Sequence, residues 1–509
     1  MPKKLLYLLF HRSVVVGLSL LVQIAALAIM VIFFSEHVVS FHTFCILLSF
    51  IAAFLILGSR MEPAYKIAWL LLILPFPVFG GVFYLAVGGG RISNRLKKQM
   101  QGISVKSLQT LQEDFKAEDL LPLGEDAAGQ ARYLEDRAGC PAYTNTDTEY
   151  FSLGELAMPR MLEELEKAEK YIFLEYFIIE PGVFWDSVLE ILERKAAQGV
   201  EVRLIYDDMG CMFTLPRDYH EQMAARGIQC RVFNRFVPVM SLRLNNRDHR
   251  KFMIIDGKVG FTGGINLADE YINKRVRFGH WKDSVILLNG DAVWSMTVMF
   301  LTMWGHICSW EEDYDQFRPG PFPVRPWTGY VQPYTDTPLD KEAVGQTVYL
   351  NMISRARKYI YITTPYLVID VATSTALCNA AKSGVDVRII TPHIPDKRYV
   401  FEVTRAHYSP LLEAGVKIYE YTPGFIHAKN FIVDDRFATV GTVNLDYRSL
   451  FLHFENGVWL CDSHCIHDIR LDFEATQRVS QPVAEQKRRY YNPLVQIYRN
   501  ILRIFAPLM

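Results

Sequence analysis

His249-Arg250-Lys251-Phe252-Met253-Ile254-Ile255-Asp256 and His427-Ala428-Lys429-Asn430-Phe431-Ile432-Val433-Asp434 are two copies of one pattern, a histidine and a lysine two residues apart with an aspartate closing the run. Each copy continues to a glycine and then an asparagine: Gly263-Gly264-Ile265-Asn266 after the first, Gly441-Thr442-Val443-Asn444 after the second. One such match carries little weight, because short motifs recur by chance. A pair with the same continuation reads as a duplicated half-site. The apolar residues ahead of each aspartate predict strands over His249 to Ile255 and His427 to Val433. Residues two apart on a strand point the same way, so each histidine shares a face with its lysine. Asp256 and Asp434 have the opposite parity, which makes them strand-end organisers and not acids or bases.

A histidine beside a fixed cation is suited to nucleophilic attack or to proton transfer near neutral pH. Lys251, Lys429, Asn266 and Asn444 supply donors for the non-bridging oxygens of a phosphate. The turns at Gly264 and Thr442 let backbone come close to that phosphate. Solvated strand ends with incidental histidines are the plain alternative, and they do not explain the repetition.

The repeat extends upstream. Ala168-Glu169-Lys170-Tyr171-Ile172-Phe173 resembles Ala356-Arg357-Lys358-Tyr359-Ile360-Tyr361, and Gly199-Val200-Glu201-Val202-Arg203 resembles Gly384-Val385-Asp386-Val387-Arg388. Each half reads as helix, strand, helix, strand, helix, strand and then the motif strand, which predicts α/β layers with a mostly parallel sheet. Two such halves related by a pseudo-dyad bring the motifs face to face.

These residues resemble the phospholipase D superfamily, whose members carry paired HKD motifs. The surrounding words resemble bacterial cardiolipin synthases of the multi-pass membrane type: Leu244-Asn245-Asn246-Arg247-Asp248 before the first motif, Trp281-Lys282-Asp283, Thr364-Pro365-Tyr366, Asn444-Leu445-Asp446-Tyr447-Arg448-Ser449 and Phe454-Glu455-Asn456. Thr442 stands where the family often has Ser, with the hydroxyl kept. Cys211 stands where a Ser is expected and is given no catalytic role. The resemblance implies two phospholipase D-like α/β sandwich halves, 141–325 and 326–482, after a membrane-anchoring helical region at 1–90 and a basic collar and linker at 91–140. A basic amphipathic tail at 483–509 closes the chain.

Composition is compatible with that layout. Half of the 509 residues are apolar, ample for a large core, and the net charge of −1 argues against a general nucleic-acid binder. The eight cysteines are scattered and read as reduced thiols. Cys461, His464, Cys465 and His467 cluster without the spacing of a standard zinc site. Three apolar stretches, Val14 to Phe34, Val38 to Gly58 and Ile67 to Val87, each approach the ~20 residues that cross a bilayer. One more stretch is present than the resemblance implies. Positive charge flanks both ends of the set and the link between the second and third stretches, so three full crossings conflict with the positive-inside rule. Two or three spans are expected, and the resemblance implies a multi-pass protein of the bacterial cell membrane. Arg91 to Lys106 is either a collar for anionic headgroups or a solvated linker, and residues 107–140 read as linker. Leu494, Ile497, Tyr498, Ile501 and Phe505 recur at helical spacing, for packing on the protein or for lying in the membrane interface.

The resemblance implies an enzyme that joins two phosphatidylglycerol molecules into cardiolipin and releases glycerol. In that reading His249 attacks phosphorus, His427 shuttles the proton, Glu455 orients His427 and Asp283 orients His249. No metal or other cofactor is expected, since the lysines form the cationic clamp, and anionic lipids are the expected partners. The rival readings are a hydrolytic phospholipase D, phosphatidyl transfer to another alcohol, a nuclease, and a non-catalytic scaffold that binds anionic lipid. Complete motifs in both halves argue against the scaffold. Oligomeric state is not legible in the chain.

Overall fold

A computed structural model describes residues 39–59, 61–74, 84, 105–112, 114, 116–235, 246–310, 312–326, 328–340, 342–483 and 493–508, with 21, 25, 28, 29, 32 and 33 besides. The first half is built on β1 (Thr146–Phe151), β2 (Tyr171–Tyr176), β3 (Glu201–Asp207), β4 (Gln229–Phe233), β5 (Phe252–Ile255), β6 (Val259–Gly263), β7 (His280–Lys282) and β8 (Val285–Gly290). The second uses β9 (Tyr330–Asp336), β10 (Tyr359–Thr363), β11 (Leu367–Val368), β12 (Asp386–Pro392), β13 (Lys417–Tyr421), β14 (Gly424–Ile426), β15 (Asn430–Val433), β16 (Phe437–Gly441), β17 (Leu445–Asp446), β18 (Glu455–Cys461) and β19 (Ser480–Pro482).

The first sheet runs β1-β8-β6-β5-β2-β3-β4 and the second β19-β13-β12-β10-β15-β16-β18-β9. In the first, β2, β3 and β4 are parallel, while β5 lies antiparallel to β2 and the order β5-β6-β8-β1 is antiparallel throughout. The expected mostly parallel sheet is thus corrected to a mixed one. The cause is local: Asp256-Gly257-Lys258 joins β5 to β6, and so short a link can only make a hairpin. The strands also begin later than the sequence predicts. Residues 249–251 and 427–429 precede β5 and β15 and belong to the seam between the halves.

That seam is made of backbone. Strands β7 and β14 pair in parallel across it, and Asp248 forms an isolated parallel bridge with Phe454. One apolar core runs through it, with Phe252 and Ile254 of the first half, Phe431 and Val458 of the second, and the helix Val293–Cys308 in one cluster. Val293–Cys308 is buried on nearly all sides, as its Trp, Met, Phe and Val content requires. Residues 117–138, expected as linker, instead form a short 3-10 helix and the helix Glu125–Ala138. Its Ala127, Ala128, Ala131 and Leu134 are buried. Small side chains on one face let it pack tightly, and Gln332 Nε2 in β9 donates to Ala131 O (3.1 Å) and Cys140 O (2.6 Å).

At the N-terminal end, α1 (Val39–Gly58) and α2 (Pro63–Ile73) lie side by side through Ala52, Ile56, Trp69 and Ile73. Among the described residues no helix is long and apolar enough to cross a membrane; the continuous run of described side chains in α1 starts only at Ile46. The stretch from Val14 to Phe34, most of Ile67 to Val87 and the collar from Arg91 lie largely outside the described residues. Leu47, Phe50, Ile51, Phe54 and Leu55 of α1 are exposed. The helix Pro493–Phe505 packs on the second half through Arg499, which is buried against Glu402 (2.8 Å), while Leu494, Ile497, Tyr498 and Ile501 are exposed.

Candidate active site

Each motif histidine is set by backbone from the opposite half. His249 N donates to Phe454 O (2.9 Å) and Phe454 N to Arg247 O (2.8 Å); His427 N donates to Lys282 O (2.7 Å). Phe454 and Lys282 immediately precede Glu455 and Asp283, so the same exchange brings a carboxylate to each ring. His249 Nδ1 lies 3.0 Å from both Glu455 oxygens, and His427 Nδ1 lies 2.7 Å from Asp283 Oδ2. The expected pairing is therefore reversed: Glu455 supports His249, and Asp283 supports His427. Parallel bridging at the seam crosses the partners, which the spacing within one half cannot reveal.

With Nδ1–H directed at a carboxylate, each ring is left with Nε2 as its basic nitrogen. Burial and the nearby Lys251 and Lys429 charges push His249 well below the usual histidine range. Burial and Lys429 bring His427 down to about 4, against the opposing pull of Asp283. Both imidazoles are neutral near pH 7. Burial also lowers Lys251 to about 7 and Lys429 to about 8, with Glu455 and Asp283 opposing. Burial raises Asp283, but His427 and Lys429 outweigh it and hold the carboxyl below its usual range. The charges of His427 and Lys429 act on His249, and that of Lys251 on His427, so the two motifs share one electrostatic site.

Lys251 Nζ donates to His249 O (2.6 Å), and Lys429 Nζ to His427 O. Each ammonium retains donors for an anion. Thr442 Oγ1 donates to Glu455 Oε2 (2.5 Å) and accepts from Asn456 N (3.0 Å), which fixes the carboxylate that holds His249. Gly264 has a different purpose from the expected phosphate approach, since a Cβ there would overlap the Asp283 carboxylate. Asn266 is taken up by the scaffold, accepting from Ile178 N (3.0 Å) and donating to Tyr271 Oη (2.6 Å). Asn444 is buried, and its Oδ1 makes no hydrogen bond.

Asp256 and Asp434 sit at the far ends of β5 and β15. Asp256 accepts from the backbone N–H of Glu169, Lys170 and Tyr171 (2.7–2.9 Å), and Asp434 from Arg357, Lys358 and Tyr359 (2.6–2.8 Å). At ~3.3 Å per residue, seven residues of extended chain put them roughly 20 Å from the histidines. Behind His249, Asp207 Oδ2 accepts from Asp248 N (3.1 Å), and Arg250 pairs with Glu175 (2.5 Å) and Asp248 (3.2 Å) in a buried charged cluster.

One residue escapes the repeat. His453 has its ring 5.6 Å from that of His249 and its Nδ1 3.5 Å from Glu455 Oε1. Among the described residues, His249, His453 and Glu455 are the His/Cys/Asp/Glu group whose ligand atoms all fall within 4.8 Å of one another. The Cys461 to His467 cluster is divided among separate contacts: Cys465 Sγ with Ser463 Oγ (3.4 Å), His464 Nε2 with Thr148 O (3.1 Å).

A family model described as "Cardiolipin synthase, PLD-like domain" matches residues 161–280 and 349–476, and one described as "Phospholipase_D-nuclease N-terminal" matches 47–89. The chain is 35% identical over 462 residues to a cardiolipin synthase of Geobacillus kaustophilus, covering 90% of this chain and 92% of the relative. It is 32% identical to cardiolipin synthase 2 of Bacillus anthracis, covering 91% and 90%. An uncharacterized protein of Streptococcus mutans is 44% identical, with 89% and 98% covered. Among solved structures, phosphatidylserine synthase of Haemophilus influenzae superposes with a TM-score of 0.55 at 15% identity, over 74% of this chain and 97% of the other, a likeness of fold. The chain belongs to the cardiolipin synthase family of the phospholipase D superfamily.

Proposed function

We propose that this protein is a phosphatidyltransferase that joins two phosphatidylglycerol molecules into cardiolipin with release of glycerol. The relatives named cardiolipin synthase supply the substrate class. The observation that carries the chemistry is the crossed support of two neutral imidazoles, one by Glu455 and one by Asp283, beside two ammonium groups. In the first step His249 Nε2 attacks phosphorus and the bond to the leaving glycerol oxygen breaks. That oxygen takes a proton from His427 Nε2. In the second, the terminal hydroxyl of another lipid gives its proton to His427 Nε2, its oxygen attacks phosphorus, and the phosphorus–nitrogen bond breaks. His427 ends as it began, so the cycle balances.

A bound phosphodiester adds a negative charge beside these groups. Its anion keeps Lys251 and Lys429 protonated and raises the proton affinity of His427, which makes that imidazole an acid when the substrate is present. Lys251, Lys429 and Asn444 then hold the non-bridging oxygens, with Asn266 keeping the adjoining backbone in place. The N-terminal apolar segments anchor this body as a multi-pass membrane protein, and the exposed apolar face of Pro493–Phe505 rests in the interface.

Hydrolysis to phosphatidic acid uses the same residues with water as acceptor, so products decide between the two. Purified protein given phosphatidylglycerol alone is expected to yield cardiolipin and glycerol in equal amounts. Phosphatidic acid as the main product would overturn the transferase reading.

A further inference from the structure

Both substrates of the proposed reaction carry a phosphodiester, and only one is at the reacting phosphorus. The other, on the acceptor lipid, must rest a three-carbon glycerol bridge away. An anion held that close to a buried site needs its own donors. Most cations around the motifs are committed: Arg250 to Glu175 and Asp248, Arg247 to Asp207, Lys282 to Asp472. Arg448 is different. It is half-buried, its buried Nε makes no hydrogen bond, and it forms no ion pair with any described residue. Asp446, two residues before it, is turned back to cap its own short helix through Ser449 N (2.8 Å). Yet the Arg448 charge bears on both His249 and His453.

His453 completes the pair. Its Nδ1 lies 3.5 Å from Glu455 Oε1, and its Nε2 is buried without a hydrogen bond beside the His249 ring. The N–H groups of Leu452 and His453 both donate to Arg448 O (2.9 Å), so one tight turn carries the guanidinium and the imidazole. Burial brings His453 down to about 3, against the opposing pull of Glu455, so the ring is neutral. The neighbouring Tyr447 packs edge-on against Tyr65 of α2 (5.8 Å between ring centroids). This turn therefore packs against the N-terminal helix α2, in the region proposed above to anchor the protein in the membrane.

We propose that Arg448 and His453 form a second phosphate site, which takes the phosphodiester of the acceptor lipid. This rests on the transferase reading above. The planar guanidinium suits two-pronged binding of a phosphate, and the imidazole adds a third donor in the tautomer that carries its proton on Nε2.

The test compares two reactions of the full-length protein in phosphatidylglycerol–detergent micelles. Exchange of labelled free glycerol into phosphatidylglycerol needs the donor phosphate alone; cardiolipin formation needs both. For Arg448→Gln, cardiolipin formation is expected to fall about tenfold or more, the loss of a hydrogen bond to a charged group, while exchange changes less than about twofold. His453→Gln, which also touches Glu455, is expected to lower cardiolipin formation more than exchange. Arg448→Lys, which keeps the charge, is expected to lie between. Retained exchange also shows that the variants are folded. Equal loss of both reactions, or loss of neither, overturns the second site. A wild-type protein that exchanges glycerol but makes no cardiolipin overturns the transferase reading instead, so the two failures are distinct.

Discussion

The Glu455 carboxylate, in the second half of the molecule, lies 3.0 Å from Nδ1 of His249 in the first. Asp283 of the first half does the same for His427 at 2.7 Å. Neither half contains a supported histidine by itself, so the fold couples catalysis to the docking of the halves. Replacing Glu455 with Gln, or Asp283 with Asn, is expected to slow cardiolipin formation by about 10–100-fold, the usual cost of losing a carboxylate behind an imidazole. Steady-state rates on variants with unchanged circular dichroism check this. An undiminished rate in either variant would contradict the crossed arrangement.

Thr442 acts through Glu455, to which its hydroxyl donates at 2.5 Å. Thr442→Ser keeps the donor and is expected to stay within about twofold of the parent rate. Thr442→Ala leaves a buried carboxylate oxygen short of a partner, at a cost of about 1–3 kcal/mol, and is expected to lose stability and rate together. Thermal melting and kinetics of the two variants, compared side by side, measure the hydroxyl's contribution.

Gly264 makes room for a side chain. Because a Cβ at this position would overlap Asp283, Gly264→Ala is expected to displace the carboxylate from His427 and to cost about as much as Asp283→Asn, roughly 10–100-fold. The double variant should be little worse than either single one, since both remove the same support. Additive losses would show that Gly264 serves something else.

The pH dependence follows from the lowered basic groups. His249, the nucleophile, is held well below the ordinary histidine range by burial and by the Lys251 and Lys429 charges and stays neutral to low pH, so the acid limb of kcat/KM should lie well below 6.5. Lysines at about 7 and 8 lose their protons as the pH rises through that range, so the alkaline limb should fall there. The kcat profile, which reports the complex with its bound phosphate, should be displaced upward on both limbs. Rates in neutral detergent between pH 4 and 10 check this; an acid limb at the ordinary histidine value in kcat/KM would contradict it.

Asp256 and Asp434 close the motifs yet serve the scaffold. Each takes a positive φ, 53° and 57°, and accepts three backbone N–H groups. Alanine at either position is expected to cost about 2–4 kcal/mol of stability, from lost hydrogen bonds and a strained left-handed backbone. The rate per folded molecule should change little, as denaturant titration alongside activity would show.

The two halves and their order of helices and strands were legible because the pattern around His249 recurs around His427. The spacing of seven residues likewise set Asp256 and Asp434 apart from the histidines, although 249–251 and 427–429 lie ahead of the strands and not within them. Which carboxylate meets which ring was not legible. Asp283 and Glu455 stand at like places in their halves, and only the parallel pairing of β7 with β14 decides that they cross. The antiparallel run from β5 to β1 was hidden because alternation of helix and strand upstream says nothing of the hairpin after Ile255. His453 has no counterpart in the first half that the repeat would mark. Residues 117–138 look polar in sequence, and their burial depends on alanines whose value lies in being small.

The most direct measurement is trapping of the phosphatidyl adduct by denaturation at neutral to mildly alkaline pH, because a phosphorus–nitrogen bond to imidazole hydrolyses in acid. Protein carrying His427→Ala, mixed with phosphatidylglycerol labelled in its phosphatidyl group, should retain label on His249 in the peptide map, and His249→Ala should retain none. Label on His427 in the His249→Ala protein, or near-normal cardiolipin synthesis by either variant, would contradict two imidazoles with divided roles at one phosphorus.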